Sequence, residues 1–79
     1  MNLEKFEMLW RKGIQKNPEY FIVELKNGAG IFVHNYKIES PIDLQFFYNG
    51  EFIAYARVNT IKSLNAFGNI YGNPREDRK

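Results

Sequence analysis

Apolar residues recur three and four positions apart from the start of the chain: Leu3, Phe6, Leu9 or Trp10, and Ile14. That spacing predicts an amphipathic helix over residues 3 to about 14. Asn2 is placed to cap its first turn through the side-chain oxygen. Glu4 and Glu7 stand near the start, and Arg11, Lys12 and Lys16 near the end. This order suits the helix dipole. Gly13 reads as a left-handed stop, with Leu9 and Ile14 placed for the apolar contact across it. The alternative is a helix running on to Gln15. Asn17-Pro18 ends it in either case.

The period then changes from 3.6 to 2. Tyr20 to Lys26 is rich in β-branched and aromatic residues and reads as a strand. Asn27-Gly28 follows, a dipeptide suited to a two-residue type I′ turn because both central residues of that turn need positive φ. Ala29 to about Ile38 is the return strand, so residues 20–38 form a hairpin. A two-residue turn pairs Val23 with Phe32, Ile22 with Val33, and Phe21 with His34. Glu39-Ser40-Pro41 breaks the pairing. Leu44 to Tyr48 and Glu51 to Val58 form a second hairpin, 44–58, around Asn49-Gly50. Phe47 then faces Phe52, and Phe46 faces Ile53. Residues 59–67 carry two readings. One is a tight turn at Asn59-Thr60-Ile61 leading into a short fifth strand. The other is a short helix capped by Asn59, with Ile61, Leu64 and Phe67 on one face. The strand is preferred because it would close a barrel. A single small domain over 1–71 and a mobile polar tail over 72–79 are expected.

Apolar residues lie on both faces of these strands. The first hairpin places Phe21, Val23, Leu25 and Phe32 on one face and Ile22, Ile31 and Val33 on the other. Two covered faces suggest a sheet curled on itself. The fold class expected is α+β: an N-terminal helix followed by a curled antiparallel sheet of four to five strands. A short helix, a strand ending in Leu25-Lys26-Asn27-Gly28, a long bent second strand, a third strand, a hairpin and a terminal Ile61-Lys62-Ser63-Leu64 are similar to the layout of Sm-like and SH3-like small barrels. The resemblance covers residues 3 to about 67 and is topological. The Sm family's RNA pocket uses an Asp-x-aromatic-x-Asn stretch and a later Arg-Gly or Lys-His pair. Here the corresponding regions read His34-Asn35-Tyr36-Lys37 and Ala56-Arg57-Val58-Asn59. Neither matches, so RNA binding of the ring type is not implied.

The chain has no Cys, which removes disulfides, thiolate metal sites and thiol nucleophiles together. The longest apolar runs are a few residues, too short to span a membrane. A signal peptide would open on a basic stretch followed by an apolar one, whereas this chain opens Met1-Asn2-Leu3-Glu4-Lys5-Phe6. A cytoplasmic location is the expectation. The frequent Asn, Lys, Ile and Phe suit an AT-rich genome, such as that of a low-GC bacterium or its phage. Formal charge is only +2, well short of the basic stripe of a dedicated DNA-binding domain. Seven Phe, five Tyr and one Trp exceed what a small core holds, so some rings belong at the surface or in an interface.

No catalytic constellation is legible. His34 is the only histidine, and it reads as a strand residue bonded to a neighbour. Glu39 and Asp43 flank Pro41 in a loop and read as solvated. Ser40 and Ser63 lack a nucleophile-elbow context. Gly28-Ala29-Gly30 sits in a hairpin and opens no helix, so it cannot cradle phosphate. No enzyme activity, cofactor or metal is expected. The leading expectation is a binding or regulatory module acting through protein–protein contact, with another protein or as a homodimer. Its interface residues are Tyr20, Ile22, Ile31, Val33, Tyr36 and Tyr55; Tyr71 is a further ring for stacking or anchoring. A weak RNA or single-stranded DNA binder is the alternative, with Arg11, Lys12, Lys16, Lys37 and Arg57 on phosphates or on an acidic partner. A small phage or mobile-element inhibitor of a host or defence enzyme is the third reading.

Overall fold

The computed structural model describes residues 1–68, so Tyr71 and the segment 72–79 lie outside the described residues. One helix precedes six strands: α1 (Leu3–Ile14), β1 (Tyr20–Leu25), β2 (Gly30–Val33), β3 (Asn35–Ser40), β4 (Asp43–Tyr48), β5 (Glu51–Arg57) and β6 (Ile61–Phe67). A single 3-10 turn, Val58–Thr60, joins β5 to β6. The strands form two antiparallel sheets of order β2-β1-β6 and β3-β4-β5. The layout is α+β.

The helix forms where its period places it. Asn2 caps it, its Oδ1 accepting from the Lys5 N–H at 2.8 Å. Gly13 is not its left-handed stop. The helix passes through Gly13 to Ile14, and the residue with positive φ is Asn17, at 54°. The reason is steric. A Cβ built on Gly13 would lie 2.6 Å from Phe21 Cε2 and 3.2 Å from Ala66 Cβ. The glycine is there so that the helix can lie close against the β2-β1-β6 sheet.

The return strand expected over 29–38 divides at His34. Val33 is the last residue paired with β1, and the His34 N–H already donates to the Phe47 carbonyl of β4 at 2.8 Å. The strand thus leaves one sheet and enters the other within one residue. Residues 59–67 follow the preferred strand reading, and β6 pairs with β1 from Tyr20↔Phe67 to Leu25↔Ile61.

The two Asn-Gly turns differ. At Asn49-Gly50 both residues have positive φ, 53° and 80°, as a type I′ turn requires. At Asn27-Gly28 only the glycine does, at 96°. Gly28 N–H donates to Leu25 O at 2.9 Å, and Leu25 N–H donates to Ala29 O at 2.8 Å. The loop therefore holds three residues, Lys26, Asn27 and Gly28, in place of two. The register becomes Phe21↔Val33, Ile22↔Phe32 and Val23↔Ile31. A shift of one residue exchanges the faces of a strand. Val33, expected outside, is fully buried, and Phe32, expected inside, is 52% exposed. In the second hairpin Phe47 faces Phe52 as expected. A bulge then places Phe46 opposite Ala54, not Ile53.

The core lies between the sheets and under the helix. Phe6 and Trp10 descend from α1 onto Phe21, Val23 and Val33 of one sheet and Leu44 and Phe46 of the other. Val58, Ile61 and Leu64 complete it. Trp10 stacks on Phe21 with centroids 3.8 Å apart, and Phe6 meets Phe46 at 6.1 Å.

Candidate functional site

The outer face of the β2-β1-β6 sheet carries exposed aromatic rings on adjacent strands. Alternation along β1 turns Tyr20 and Ile22 outward, while Phe21 and Val23 enter the core. The register brings Phe32 of β2 beside Ile22, and Phe67 of β6 beside Tyr20. Tyr20 stacks on both phenyl rings, with centroids 5.2 Å from Phe32 and 5.9 Å from Phe67. Phe32 and Phe67 are 52% and 42% exposed. Three rings on three adjacent strands thus make one strip, with Ile22 alongside. Polar groups bound it: Ser63 Oγ donates to Glu24 Oε1 at 3.1 Å, and Asn65 pairs with Ile22 across the sheet.

The six interface residues read from the sequence do not share one surface. Tyr20 and Ile22 belong to the strip. Ile31 and Val33 point inward, Val33 into the core itself and Ile31 against it. Tyr36 also packs on the core, edge-on to Phe6 at 5.0 Å and to Trp10 at 4.8 Å. Tyr55 is exposed on the outer face of the other sheet, in a row with Gln45 and Lys37. Phe32 and Phe67 were missed. A count of three residues for the first loop would have revealed Phe32. Phe67 required β6 to be known as a strand paired with β1.

Tyr36 has a chemical signature. Burial raises the pKa of its phenol, and the nearby Glu7 carboxylate raises it further, while Arg11 opposes. A raised phenol pKa means that the folded chain holds this proton more tightly than the unfolded one. Stability from Tyr36 is complete below the unfolded value of about 10 and falls as pH rises from there through the folded value. Tyr36→Phe is expected to flatten the loss of stability above that pH. Urea midpoints measured from neutral to strongly alkaline pH provide the check, and equal slopes for the two proteins would contradict it.

The groups weighed for catalysis are each engaged in local structure. His34 stacks on Tyr48 at 3.9 Å, and its Nδ1 accepts from the Asn49 N–H at 2.9 Å. It braces the second hairpin turn. Glu39 Oε1 accepts from Gln45 Nε2 at 3.1 Å, and Asp43 Oδ2 accepts from Ser40 Oγ at 3.2 Å. Asp43 Oδ1 faces Arg57 Nε at 3.7 Å. Among the described residues, no three His, Cys, Asp or Glu side chains converge as a metal site would need. No helix among them is long and apolar enough to cross a membrane.

The basic residues divide into two groups. The start of α1 lies near Ile42, Arg57 and Val58, and its end lies against Phe21 and Ala66. Arg11, Lys12 and Lys16 are therefore about a helix length, roughly 15 Å, from Arg57. Lys37 and Arg57 lie on the β3-β4-β5 sheet, and Arg57 faces Asp43. In comparisons with known proteins the chain matches no family model, no curated protein and no solved structure.

Proposed function

We propose that this chain is a non-enzymatic binding module whose working surface is the Phe32–Tyr20–Phe67 strip, and that its partner there is a second copy of itself. The observation that supports this reading is the self-complementary order of the strip, with one tyrosine between two phenylalanines on neighbouring strands. A two-fold axis along β1 would lay Phe32 of one copy over Phe67 of the other, and Phe67 over Phe32. Most homo-oligomers use such self-matching contacts. The strip carries no charge at its centre, so face-to-face packing strands no ion in a dry interface. Half-exposed phenyl rings offer about 100 Å² each. With Tyr20 and Ile22 the pair would bury about 600 Å², against the ~1,200 Å² of a stable interface. The dimer is accordingly transient and concentration-dependent.

The same reading extends to the architecture. With β1 shared between β2 and β6, and the chain passing directly from β2 to β3, the two sheets are the halves of a small open barrel of the Sm-like or SH3-like kind. Nucleic-acid binding is the weaker reading, because only Lys37 and Arg57 share a face with an exposed ring, Tyr55, while Arg11, Lys12 and Lys16 lie on the helix side.

Light scattering from micromolar to submillimolar concentration tests the proposal. The average mass is expected to climb toward twice 9.4 kDa, and Phe32→Lys is expected to hold it at the monomer value. A monomer mass for the native chain throughout that range would overturn the homotypic contact.

A further inference from the structure

The two sheets separate along one line. Among the described residues, β5 is bonded to β4 on one side only, and β6 is bonded to β1 rather than to β5. Only Val58–Thr60 lies between β5 and β6 in the chain. A groove of about 630 Å³ runs along the gap, with Tyr55, Ala56 and Arg57 on one wall and Leu25, Lys26 and Asn27 on the other.

The backbone phase of β5 decides what that wall presents. Val58 N–H donates to Ile42 O at 2.8 Å, and Arg57 stands opposite Asp43. Antiparallel alternation then directs the Ala56 backbone groups to β4 and those of Tyr55 and Arg57 into the groove. The Arg57 carbonyl is taken by Thr60 Oγ1 at 2.7 Å. Among the described residues, nothing bonds Tyr55 N–H, Tyr55 C=O or Arg57 N–H, which leaves them for an incoming group. The bulge in this hairpin falls at Ile53, between the Phe47↔Phe52 and Phe46↔Ala54 pairs, so the register from Ala54 to Arg57 along the groove is regular. Among the described residues, Lys26 and Arg57 are the only charged side chains lining it, both are exposed, and no carboxylate lines it.

We infer that an acidic segment of a partner protein lies in this groove as an added strand on β5. Tyr55 offers a donor and an acceptor side by side. A peptide residue answers both, whereas a phosphate only accepts. Lys26 on one wall selects carboxylates on the incoming strand, and Arg57 on the other, which also faces Asp43, adds to the positive field. This site is separate from the aromatic strip and does not depend on it.

The test is a random peptide library displayed on phage and selected on the full chain. Enrichment of acidic, β-prone sequences is expected. Binding of a selected peptide should slow hydrogen exchange at the Tyr55 and Arg57 amides and should weaken as salt rises. Lys26→Glu should weaken it about tenfold, since attraction becomes repulsion. Tyr55→Pro removes an N–H that no bond among the described residues uses and should abolish it, because proline is tolerated at the open side of an edge strand. Should that variant fail to fold, Lys26→Glu and the exchange pattern carry the test. Phe32→Lys should leave peptide binding unchanged, which separates this site from the homotypic face. No enrichment, enrichment without acidic residues, protection elsewhere, or indifference to Lys26→Glu would each overturn the inference.

Discussion

Replacing Phe6 with Ala is expected to cost about 3–5 kcal/mol of folding stability. Phe6 is fully buried, and it is the ring at which the three parts of the core meet. It lies 6.2 Å from Trp10 on its own helix, 5.0 Å from Tyr36 of β3 and 6.1 Å from Phe46 of β4. Deleting it removes the transfer energy of a phenyl ring and leaves a cavity walled by aromatic rings. Trp10 is held by its stack on Phe21 and by the Tyr36 ring edge-on to it, so that wall cannot collapse inward cheaply. A domain of this length has a total stability of roughly 4–12 kcal/mol, so the variant loses a large fraction of it and unfolds at a much lower urea concentration. Urea unfolding followed by the fluorescence of Trp10 reads this directly. Met8, on the same helix but 43% exposed, is the control, and Met8→Ala should stay within about 0.5 kcal/mol of the native chain. Equal losses for the two would mean that the helix is not docked as described.

Gly13→Val should destabilise by about 1–3 kcal/mol, although valine has the higher helix propensity. Propensity alone predicts a small gain. Space predicts the opposite, because the added Cβ would sit 2.6 Å from Phe21 Cε2. A flexible neighbour would move aside. Phe21 is held by its stack on Trp10, with rings 13° from parallel, and Ala66 on β6 closes the other side. The helix must therefore lift from the sheet, carrying Trp10 with it. Gly13→Ala sets the two effects most closely against each other, with about 1 kcal/mol of helix propensity opposing the same clash. Thermal melts of the two variants decide the matter, and a higher midpoint for Gly13→Val would refute the close approach.

Local chemistry explains which parts of the fold were readable in advance. The helix was written in its period and its Asn2 cap, and the second turn in a dipeptide whose residues both take positive φ. The first turn carries the same dipeptide, yet it adopts a different loop. Lys26 N–H is held by the Thr60 carbonyl at 2.8 Å, a bond from the far end of the chain that draws Lys26 out of the hairpin ladder. No local pattern announces such a bond. Its effect reaches the candidate site, because the added loop residue is what turns Phe32 outward and Val33 inward. The excess of rings was visible in the composition, but which rings were in excess depended on that register. The break at His34 was equally hidden, since a bend between two sheets resembles one long strand when only the alternation is read.

The position of β1 also shapes how the chain can fold. β1 is the middle strand of its sheet, and its second neighbour, β6, is the last strand of the described chain. The hairpin of β1 and β2 closes a short loop, as does that of β4 and β5, and either can form in microseconds. Joining Tyr20 to Phe67 requires every intervening element to be gathered first, at a larger cost in loop-closure entropy. Contacts so distant in sequence place such chains among the slower two-state folders. Until β6 arrives, β1 exposes an unpaired edge alongside Tyr20, Ile22 and Phe32, so a half-made chain during synthesis would be at its most adhesive along that strand.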